Sequence, residues 1–313
     1  MPFTAKSGKF NASIKTVTVG TGDKAITLGG ENVLPFYTFD APIENAPKVG
    51  IEITDFGMEN EPECVKKYYE GCTTLADLAK KAASFEGVDF LCFRMEGGDP
   101  NGANKSTEEL IAALKEVAEA ADCPLVVAGS KNAERDAELL SRAAEAVQGK
   151  NAVILAAKEE NYKTVGAAAG LAYTQIVGAE SSVDINLAKQ LNVLLTQLGV
   201  NASSIAMNVG TAAAGYGYEY VASTMQRIKA AALSQNDTQL QMPIITPVAS
   251  EVWGVKESVT TEADMPEWGD QERRGVDMEV QTAAADLACG SNAVILKHPA
   301  SIATISKMIK ELV

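Results

Sequence analysis

The chain has 313 residues, of which 46% are hydrophobic and 22% are charged, and its mean hydropathy is -0.01. This composition is that of a globular protein with apolar material for one large domain or two medium ones. The net charge of -14 and the pI of about 4.7, without clustered lysine or arginine, argue against a nucleic-acid partner. No apolar run is long enough for a membrane span and the N-terminus lacks a signal-peptide core, so we expect a cytoplasmic protein without a membrane partner.

The first 46 residues predict a β-hairpin extension. Residues 14–19 alternate apolar and polar side chains, residues 20–23 form a turn, and the apolar alternation returns at residues 26–28. We expect this hairpin to plug or decorate one end of the domain that follows. The predicted division is therefore a hairpin extension over 1–46 and a second domain over 47–313.

The second domain alternates short β-rich runs with helical patterns. The β-rich runs are continuously apolar, as in strands buried on both faces: 48–54, 88–95, 124–130, 152–157, 175–181, 204–210, 243–250 and 293–299. Among the helical patterns, Ser106 and Glu109 have capping-box spacing, and Gly199 is a C-terminal stop. About eight strand–helix units predict an α/β fold of the (β/α)8 TIM-barrel type, with a doubly wound open sheet as the alternative.

In such a barrel, function is carried by the residues at the C-terminal ends of the strands. Here these ends are rich in Asn, Asp, Glu, Ser and Gly, which suits hydrogen bonding to amides and hydroxyls better than metal ligation. His298 is the only histidine, which excludes a hydrolytic barrel with a metal bound by several histidines. No G-x-S-x-G elbow supports a Ser–His–Asp triad, so we interpret His298 as a structural or capping residue.

Other residues at the strand ends leave alternatives open. Lys158 or Lys297 could form a Schiff base in an aldolase-type barrel, although no phosphate-binding motif accompanies them. The stretch "GGDPNGAN" (97–104) is either an anion-binding nest or a turn whose Asp and Asn bond their own backbone. The cysteines have no C-x-x-C pair and are odd in number, which predicts reduced thiols rather than disulfides or an iron–sulfur cluster: Cys64, Cys72, Cys92, Cys123 and Cys289.

The stretch "MNVGTAAAGYGYEY" (207–220) links a predicted strand to a predicted helix. It lacks the lysine of a P-loop and the G-x-G-x-x-G spacing of a dinucleotide turn, so a phosphate cradle is the weaker interpretation. Small residues at a strand end leave room for a broad, flat ligand across the barrel mouth. Tyr216 and Tyr218 taken alone are better explained by packing at the start of the helix.

Several longer motifs together resemble one family. "GGENVLPFYTFDAP", "GGDPNGAN", "ENYKTV", "VDINLAKQLN", "GYGYEYVASTMQRIK", "MPIITPVASEVWGVKE", "EWGDQERRG" and "KHPASI" occur in this order between about residues 29 and 300. In this combination and spacing the chain resembles the small subunit of the corrinoid/iron–sulfur protein, whose archaeal counterpart is the delta subunit of the acetyl-CoA decarbonylase/synthase complex.

The resemblance implies a TIM barrel that forms a heterodimer with a larger subunit carrying the [4Fe–4S] cluster and the corrinoid domain. This heterodimer is a methyl carrier of the reductive acetyl-CoA (Wood–Ljungdahl) pathway. A methyltransferase delivers the methyl group from methyltetrahydrofolate to cobalt, and the carrier presents it to acetyl-CoA synthase/CO dehydrogenase. The small subunit caps the corrinoid (cobalamin) and is itself non-catalytic. Its own sequence has neither the D-x-H-x-x-G corrinoid signature nor a cluster-binding cysteine set.

The resemblance also implies contacts with the corrin at the barrel mouth. Polar side chains would hydrogen-bond corrin amides, glycines would permit close approach, and a tyrosine would supply flat contact area: Asp99, Asn101, Asn161, Asp184, Asn186, Asn208, Gly210, Gly215 and Tyr216. Family members often carry an acidic residue where this chain has Asn208, so no acid–base role is inferred there. The segment 251–275, with Trp253 and Trp268, would dock the large subunit or else pack on the barrel. A pterin-dependent methyltransferase that binds methyltetrahydrofolate directly is the alternative function.

Overall fold

The computed structural model describes residues 8–313 and contains the predicted hairpin. Strands β1 (Val17–Val19) and β2 (Ile26–Leu28) pair antiparallel, with Thr18 opposite Thr27. The prediction of a hairpin in this part of the chain is confirmed. The proposed boundary at residue 46 stays a prediction, and residues 1–7 of the proposed extension lie outside the described residues.

A parallel barrel sheet follows the hairpin. Across residues 8–313 it contains eight strands: β3 (Lys48–Thr54), β4 (Phe90–Arg94), β5 (Leu125–Ala128), β6 (Val153–Ala157), β7 (Ile176–Glu180), β8 (Ile205–Asn208), β9 (Ile245–Pro247) and β10 (Ala293–Leu296). Their order in the sheet is β8-β7-β6-β5-β4-β3-β10-β9, and a single parallel bridge from Met207 to Ile244 brings β8 next to β9. The predicted (β/α)8 barrel is confirmed as a nearly closed one.

Helices surround the barrel. In the described part of the chain they are α1 (Glu63–Lys66), α2 (Leu75–Ala83), α3 (Thr107–Ala120), α4 (Ala133–Ala146), α5 (Tyr162–Val165), α6 (Ile185–Leu198), α7 (Tyr218–Ser234), α8 (Val248–Val252), α9 (Lys256–Val259), α10 (Gln271–Cys289) and α11 (Pro299–Leu312). The capping box of Ser106 and Glu109 forms at the start of α3, and Gly199 ends α6 in the left-handed region with φ of 109°. Both local predictions are confirmed.

The strand predicted over 243–250 is shorter than expected. The strand spans only residues 245–247, preceded by the single bridge at Ile244, and the apolar run continues directly into α8. An apolar run of this length does not distinguish a buried strand from a buried helix, so the sequence pattern extended the strand too far.

The hairpin fills the N-terminal end of the barrel. Val17, Val19 and Leu28 are buried in one apolar cluster with inward-facing strand residues such as Phe90 and Ile245. Backbone bonds from Gly20 to Asn151 and from Lys15 to Gln241 tie the hairpin to the loops that precede β6 and β9. The hairpin therefore closes one end and leaves the C-terminal ends of the strands free of it.

The segment after the hairpin is fastened to the barrel by a buried ion pair. Lys229 on α7 lies 2.7 Å from Glu31 and donates to Asn292 at 3.0 Å, and Asn292 also donates to Glu31 at 2.8 Å. Burial raises the pKa of Glu31, but Lys229 and Asn292 outweigh it and hold that pKa below its ordinary value. Among the described residues, no helix is both long and apolar enough to cross a membrane.

Candidate functional site

The C-terminal ends of the barrel strands surround an open mouth with two cavities. One cavity of about 250 Å³ lies over β5 to β9, and another of about 610 Å³ lies toward β3, β4 and β10. Arg94, Lys131 and Ser250 line both cavities, so the two spaces adjoin at these residues. The mouth is thus broad and lined mainly by polar side chains.

A buried ion pair lies where the two cavities meet. Arg94 is the last residue of β4 and Glu52 lies within β3, and the two strands are hydrogen-bonded neighbours. Arg94 Nε donates to Glu52 Oε2 at 2.9 Å, and only 6% and 4% of the two residues is exposed. Burial raises the Glu52 pKa, but Arg94 and Lys297 outweigh it, so that pKa is lowered and the carboxylate is ionised.

The smaller cavity contains a second polar group built on β7 and β8. Glu180 and Asn208 are the last residues of these neighbouring strands and lie opposite each other in register. Asn208 Nδ2 donates to Glu180 Oε2 at 3.2 Å, and Lys158 Nζ lies 3.1 Å from Glu180 Oε1. Asn208 Oδ1 accepts from Gly210 N at 3.0 Å, so both ends of its carboxamide are used within the chain.

Each lysine that lines the two cavities has an acidic partner. Lys297 Nζ lies 2.7 Å from both carboxylate oxygens of Glu61, Lys131 lies 2.9 Å from Glu251, and Lys158 is paired with Glu180. A Schiff-base lysine must instead present a neutral amine to a carbonyl compound. The ion pairs therefore give no support to the aldolase interpretation of Lys158 and Lys297.

The stretch 207–220 forms part of the rim and is fixed from outside the barrel. Thr211 and Tyr218 each donate a hydroxyl hydrogen bond to Asp286 on α10, at 2.9 and 3.0 Å, and Ala214 N donates to Thr282 at 3.0 Å. Gly210, with φ of 79°, adopts the left-handed backbone that favours glycine, and a side chain there would approach Val183 at 3.3 Å. The stretch is thus a segment of the rim that hydrogen bonds to α10 hold in place.

Three of the nine predicted contact residues line the cavities. Asn208 and Gly210 line the smaller cavity, and Asp99 lines the larger one. Asp99 Oδ1 also accepts from Asn101 N at 2.9 Å, which confirms the interpretation of "GGDPNGAN" as a turn that bonds its own backbone.

The other six predicted residues lie outside the lining of both cavities, for identifiable reasons. Asn161 is buried and its carboxamide joins Lys158 N to Ala133 O at 2.8 and 2.9 Å. Asp184 is the N-cap of α6 and accepts a hydrogen bond from the backbone N–H of Asn186. The Asn186 side chain is exposed on the first turn of this helix. The remaining three are exposed on the rim: Asn101, Gly215 and Tyr216. Contact of any of the nine with a corrin stays a prediction.

His298 has the capping role that the sequence indicated. Its Nδ1 accepts from Ala300 N at 3.2 Å at the start of α11, and its ring is buried between Tyr68 and Trp253, with ring centroids 5.1 and 5.9 Å away. Burial lowers its pKa, so the ring is neutral at pH 7. Trp253 packs on Gly275 of this chain, which removes it as a docking residue for a partner, whereas Trp268 is half-buried between Lys256 and Arg274.

The cysteines are free thiols in the structure. Cys64, Cys92 and Cys289 are buried, and the other two are half-buried. Burial raises the pKa of the Cys64 thiol to about 11, and it raises the pKa of the Cys123 thiol to about 11 as well. The prediction of unpaired thiols is confirmed.

Glu52 is the site residue that sequence reasoning missed. It lies inside the apolar run "KVGIEIT", two positions before the end of β3. A carboxylate in a strand buried on both faces costs free energy unless it is paired, and this was the available signal that it faces a functional cavity.

A family model and several relatives match this chain. The model of the CO dehydrogenase/acetyl-CoA synthase delta subunit family matches residues 16–285. The acetyl-CoA decarbonylase/synthase complex subunit delta of Archaeoglobus fulgidus is 32% identical over 94% of the chain and 65% of the relative. Subunit delta 2 of that complex from Methanosarcina acetivorans is 31% identical over 94% of the chain and 67% of the relative. The chain therefore spans about two thirds of the length of these relatives.

Solved structures show the same fold in more distant proteins. A dihydropteroate synthase of Xanthomonas albilineans with 4-aminobenzoic acid aligns with a TM-score of 0.55 at 13% identity, covering 95% of this chain and 98% of the other. The Coxiella burnetii dihydropteroate synthase in complex with pteroic acid aligns with a TM-score of 0.54 at 13% identity, covering 86% and 93%. At this identity the likeness concerns the barrel alone.

Proposed function

Because the chain belongs to the CO dehydrogenase/acetyl-CoA synthase delta subunit family, we propose that it is the small subunit of a corrinoid/iron–sulfur methyl carrier. Its barrel mouth would cap a corrinoid held by a larger subunit, which also carries the [4Fe–4S] cluster. The carrier would accept a methyl group from methyltetrahydrofolate through a methyltransferase and pass it to acetyl-CoA synthase in the cytoplasm. The cobalt of the bound corrinoid supplies the methyl-transfer chemistry.

The observation that carries this proposal is that two polar cavities lie side by side in the barrel mouth and share Arg94, Lys131 and Ser250 in their linings. Both cavities lie at the barrel end opposite the hairpin, and the lysines that line them are held in ion pairs with acidic residues. Such a mouth suits a wide, flat ligand with polar substituents, as a corrin ring has. The paired lysines argue for a binding role in place of covalent chemistry.

The mouth residues would bind and shield the ligand. Asp99 would hydrogen-bond a corrin amide from the larger cavity, and Asn208 would do so from the smaller one through the second hydrogen of its Nδ2, since Glu180 takes the first. Gly210 would let the macrocycle approach the backbone. The residues outside the cavity lining would contact the edge of the ring if the ring extends over the rim: Asn101, Asn161, Asp184, Asn186, Gly215 and Tyr216. This chain would thereby exclude solvent from the cobalt until the partner domain moves away.

The proposal is tested by cobalamin titration of the copurified heterodimer and of the large subunit alone, followed by the visible absorption spectrum. We expect weaker binding and a changed spectrum when this chain is absent, because the mouth no longer shields the corrin. The Asn208→Ala variant should weaken binding several-fold, since one polar contact is lost.

Asn11→Ala is the matched control, because Asn11 is exposed and lies in the N-terminal arm, away from the mouth residues. It should leave binding unchanged. Cobalamin affinity and spectrum that are the same with and without this chain would contradict the capping role.

A pterin-dependent methyltransferase remains the second candidate, and the Glu180–Asn208 pair in the smaller cavity favours it. A carboxylate beside a carboxamide could match the hydrogen-bonding edge of a pterin ring. However, both Glu180 oxygens are already engaged by Lys158 and Asn208, which is why we prefer the capping role. Isothermal titration of the isolated chain with methyltetrahydrofolate separates the two candidates, since micromolar binding would favour the enzyme.

A further inference from the structure

Arg94 has hydrogen-bond donors that no residue of the described chain satisfies. Its Nε donates to Glu52 Oε2, and its Nη2 lies 2.8 Å from the same oxygen but in a geometry that makes no hydrogen bond. Nη1 makes no hydrogen bond to a described residue either. A buried guanidinium with unpaired N–H groups is costly, and this one lines both mouth cavities. Its free donors are therefore available to a ligand in the mouth.

Glu52 offers an acceptor beside these donors. Its Oε2 is used by Arg94, whereas Oε1 has no hydrogen bond within residues 8–313, and Glu52 lines the larger cavity. Arg94 and Lys297 keep this carboxylate ionised despite its burial. The pair thus presents N–H donors and a carboxylate oxygen as acceptor side by side where the two cavities adjoin.

The charges around the pair select the kind of ligand. Acidic and basic side chains line the larger cavity in equal number: Glu52, Glu96 and Asp99 against Arg94, Lys131 and Lys297. Lys297 and Lys131 are further neutralised by Glu61 and Glu251. An anionic ligand would meet no excess positive charge and would approach Glu52. A neutral group with one acceptor and one donor fits better, and a carboxamide has both.

We propose that the Arg94–Glu52 pair is a carboxamide-binding site, in which Arg94 donates to the amide oxygen and Glu52 Oε1 accepts from the amide nitrogen. The inference rests on the proposed function, because the carboxamide that we expect the pair to bind is a side-chain amide of the corrin. The larger cavity has room for such a side chain. Glu52 is then a specificity-determining residue that distinguishes amidated corrinoids from those with a free carboxylate.

The first test uses the unaltered heterodimer and changes the ligand. Cobalamin is compared with its separated monocarboxylic acids, in each of which one side-chain amide is hydrolysed. We expect one isomer to bind about tenfold more weakly than cobalamin at pH 7, because its carboxylate is repelled by Glu52 and leaves the acceptor unpaired. The other isomers should bind like cobalamin.

The second test changes the protein. In Glu52→Gln, the anionic partner of Arg94 is removed, so the isomer that the wild type rejects should bind as well as cobalamin or better. Glu96→Gln is the matched control, since Glu96 is an exposed acid at the same cavity and, unlike Glu52, is not hydrogen-bonded to Arg94. It should keep the wild-type preference. If Glu52→Gln does not fold, the ligand series on the wild type still decides.

The outcomes separate this inference from the proposed function. If cobalamin binding depends on this chain but all isomers bind alike, the amide site is wrong and the capping role stands. If cobalamin binding does not depend on this chain, both are wrong. A pterin lactam has the same donor and acceptor edge, so methyltetrahydrofolate is titrated into wild type and Glu52→Gln as well. Binding that is lost in the variant would assign the pair to a pterin and overturn the corrin assignment.

Discussion

Asp286 illustrates how a single buried side chain controls the rim of the mouth. Its two carboxylate oxygens accept from Thr211 and Tyr218, which lie at the two ends of the segment between β8 and α7. Burial raises the pKa of Asp286 to about 7, and the two hydroxyl groups lower it only in part. The group therefore titrates near neutral pH while it holds the rim segment.

We predict that Asp286 makes the stability of the chain depend on pH. Its folded-state pKa is above the ordinary value of 3.8, so the folded chain keeps a proton that the unfolded chain releases. The stability contributed by this group is complete below about pH 4 and is lost as the pH rises to about 7. Between pH 5 and pH 8 the wild type should lose about 3 kcal/mol more unfolding free energy than Asp286→Asn.

The measurement is urea unfolding of both proteins at several pH values. Asp277→Asn is the control on the same helix, because Asp277 is exposed and should leave the pH dependence of the wild type in place. If the unfolding free energies of wild type and Asp286→Asn depend on pH in the same way, Asp286 does not titrate in this range.

The hairpin of β1 and β2 is the element that sets which end of the barrel is open. Val17 and Val19 fill the barrel interior from the N-terminal end, while Thr18 between them is exposed. The alternation of buried and exposed residues is that of a strand with one face on the core. Since the hairpin and the mouth lie at opposite ends, the stability of one and the binding at the other are separable.

We predict that Val17→Ala lowers the unfolding free energy by about 1–3 kcal/mol, because it removes two buried methyl groups and leaves a cavity. Cobalamin affinity of the folded heterodimer should not change. Thermal or urea unfolding and a cobalamin titration together test this, with Thr18→Ala as the control that alters an exposed position of the same strand. Loss of cobalamin affinity in folded Val17→Ala would mean that the two ends are coupled.

For the molecule as a whole, closure of the barrel is uneven. β3 and β4 are joined through five register pairs, whereas β8 and β9 meet through the single bridge of Met207 and Ile244. Pro243 and Pro247 lie in this region and have no N–H to donate, which limits the ladder that can form there. The seam between β8 and β9 lies beside Asn208 and the rim segment.

We predict that the barrel opens first at this seam. In native-state hydrogen–deuterium exchange, the amide of Met207, which donates to Pro243 O at 2.8 Å, should exchange at least about tenfold faster than amides of β3 and β4. The neighbouring β3–β4 ladder is the internal reference. Equal protection of the two seams would show that the single bridge is as strong as the full ladder.

The sequence alone determined the fold, because its signals are local. The apolar runs, the alternation at 14–19, the capping box at Ser106 and the stop at Gly199 each depend on residues a few positions apart. Local chemistry also gave the capping role of His298 and the turn at Asp99. The family resemblance depended on motifs of the same kind, which can be recognised without knowing what they contact.

Only the tertiary structure decided which polar residues face the mouth. Asn161 and Asp184 follow strand ends as Asn208 does, but their side chains bond backbone groups of neighbouring segments, a use that the residue type does not reveal. Glu52 meets Arg94 across 42 positions and Lys297 meets Glu61 across 236. Such pairs form because barrel closure brings distant strand ends within hydrogen-bonding distance, and no local pattern encodes that distance.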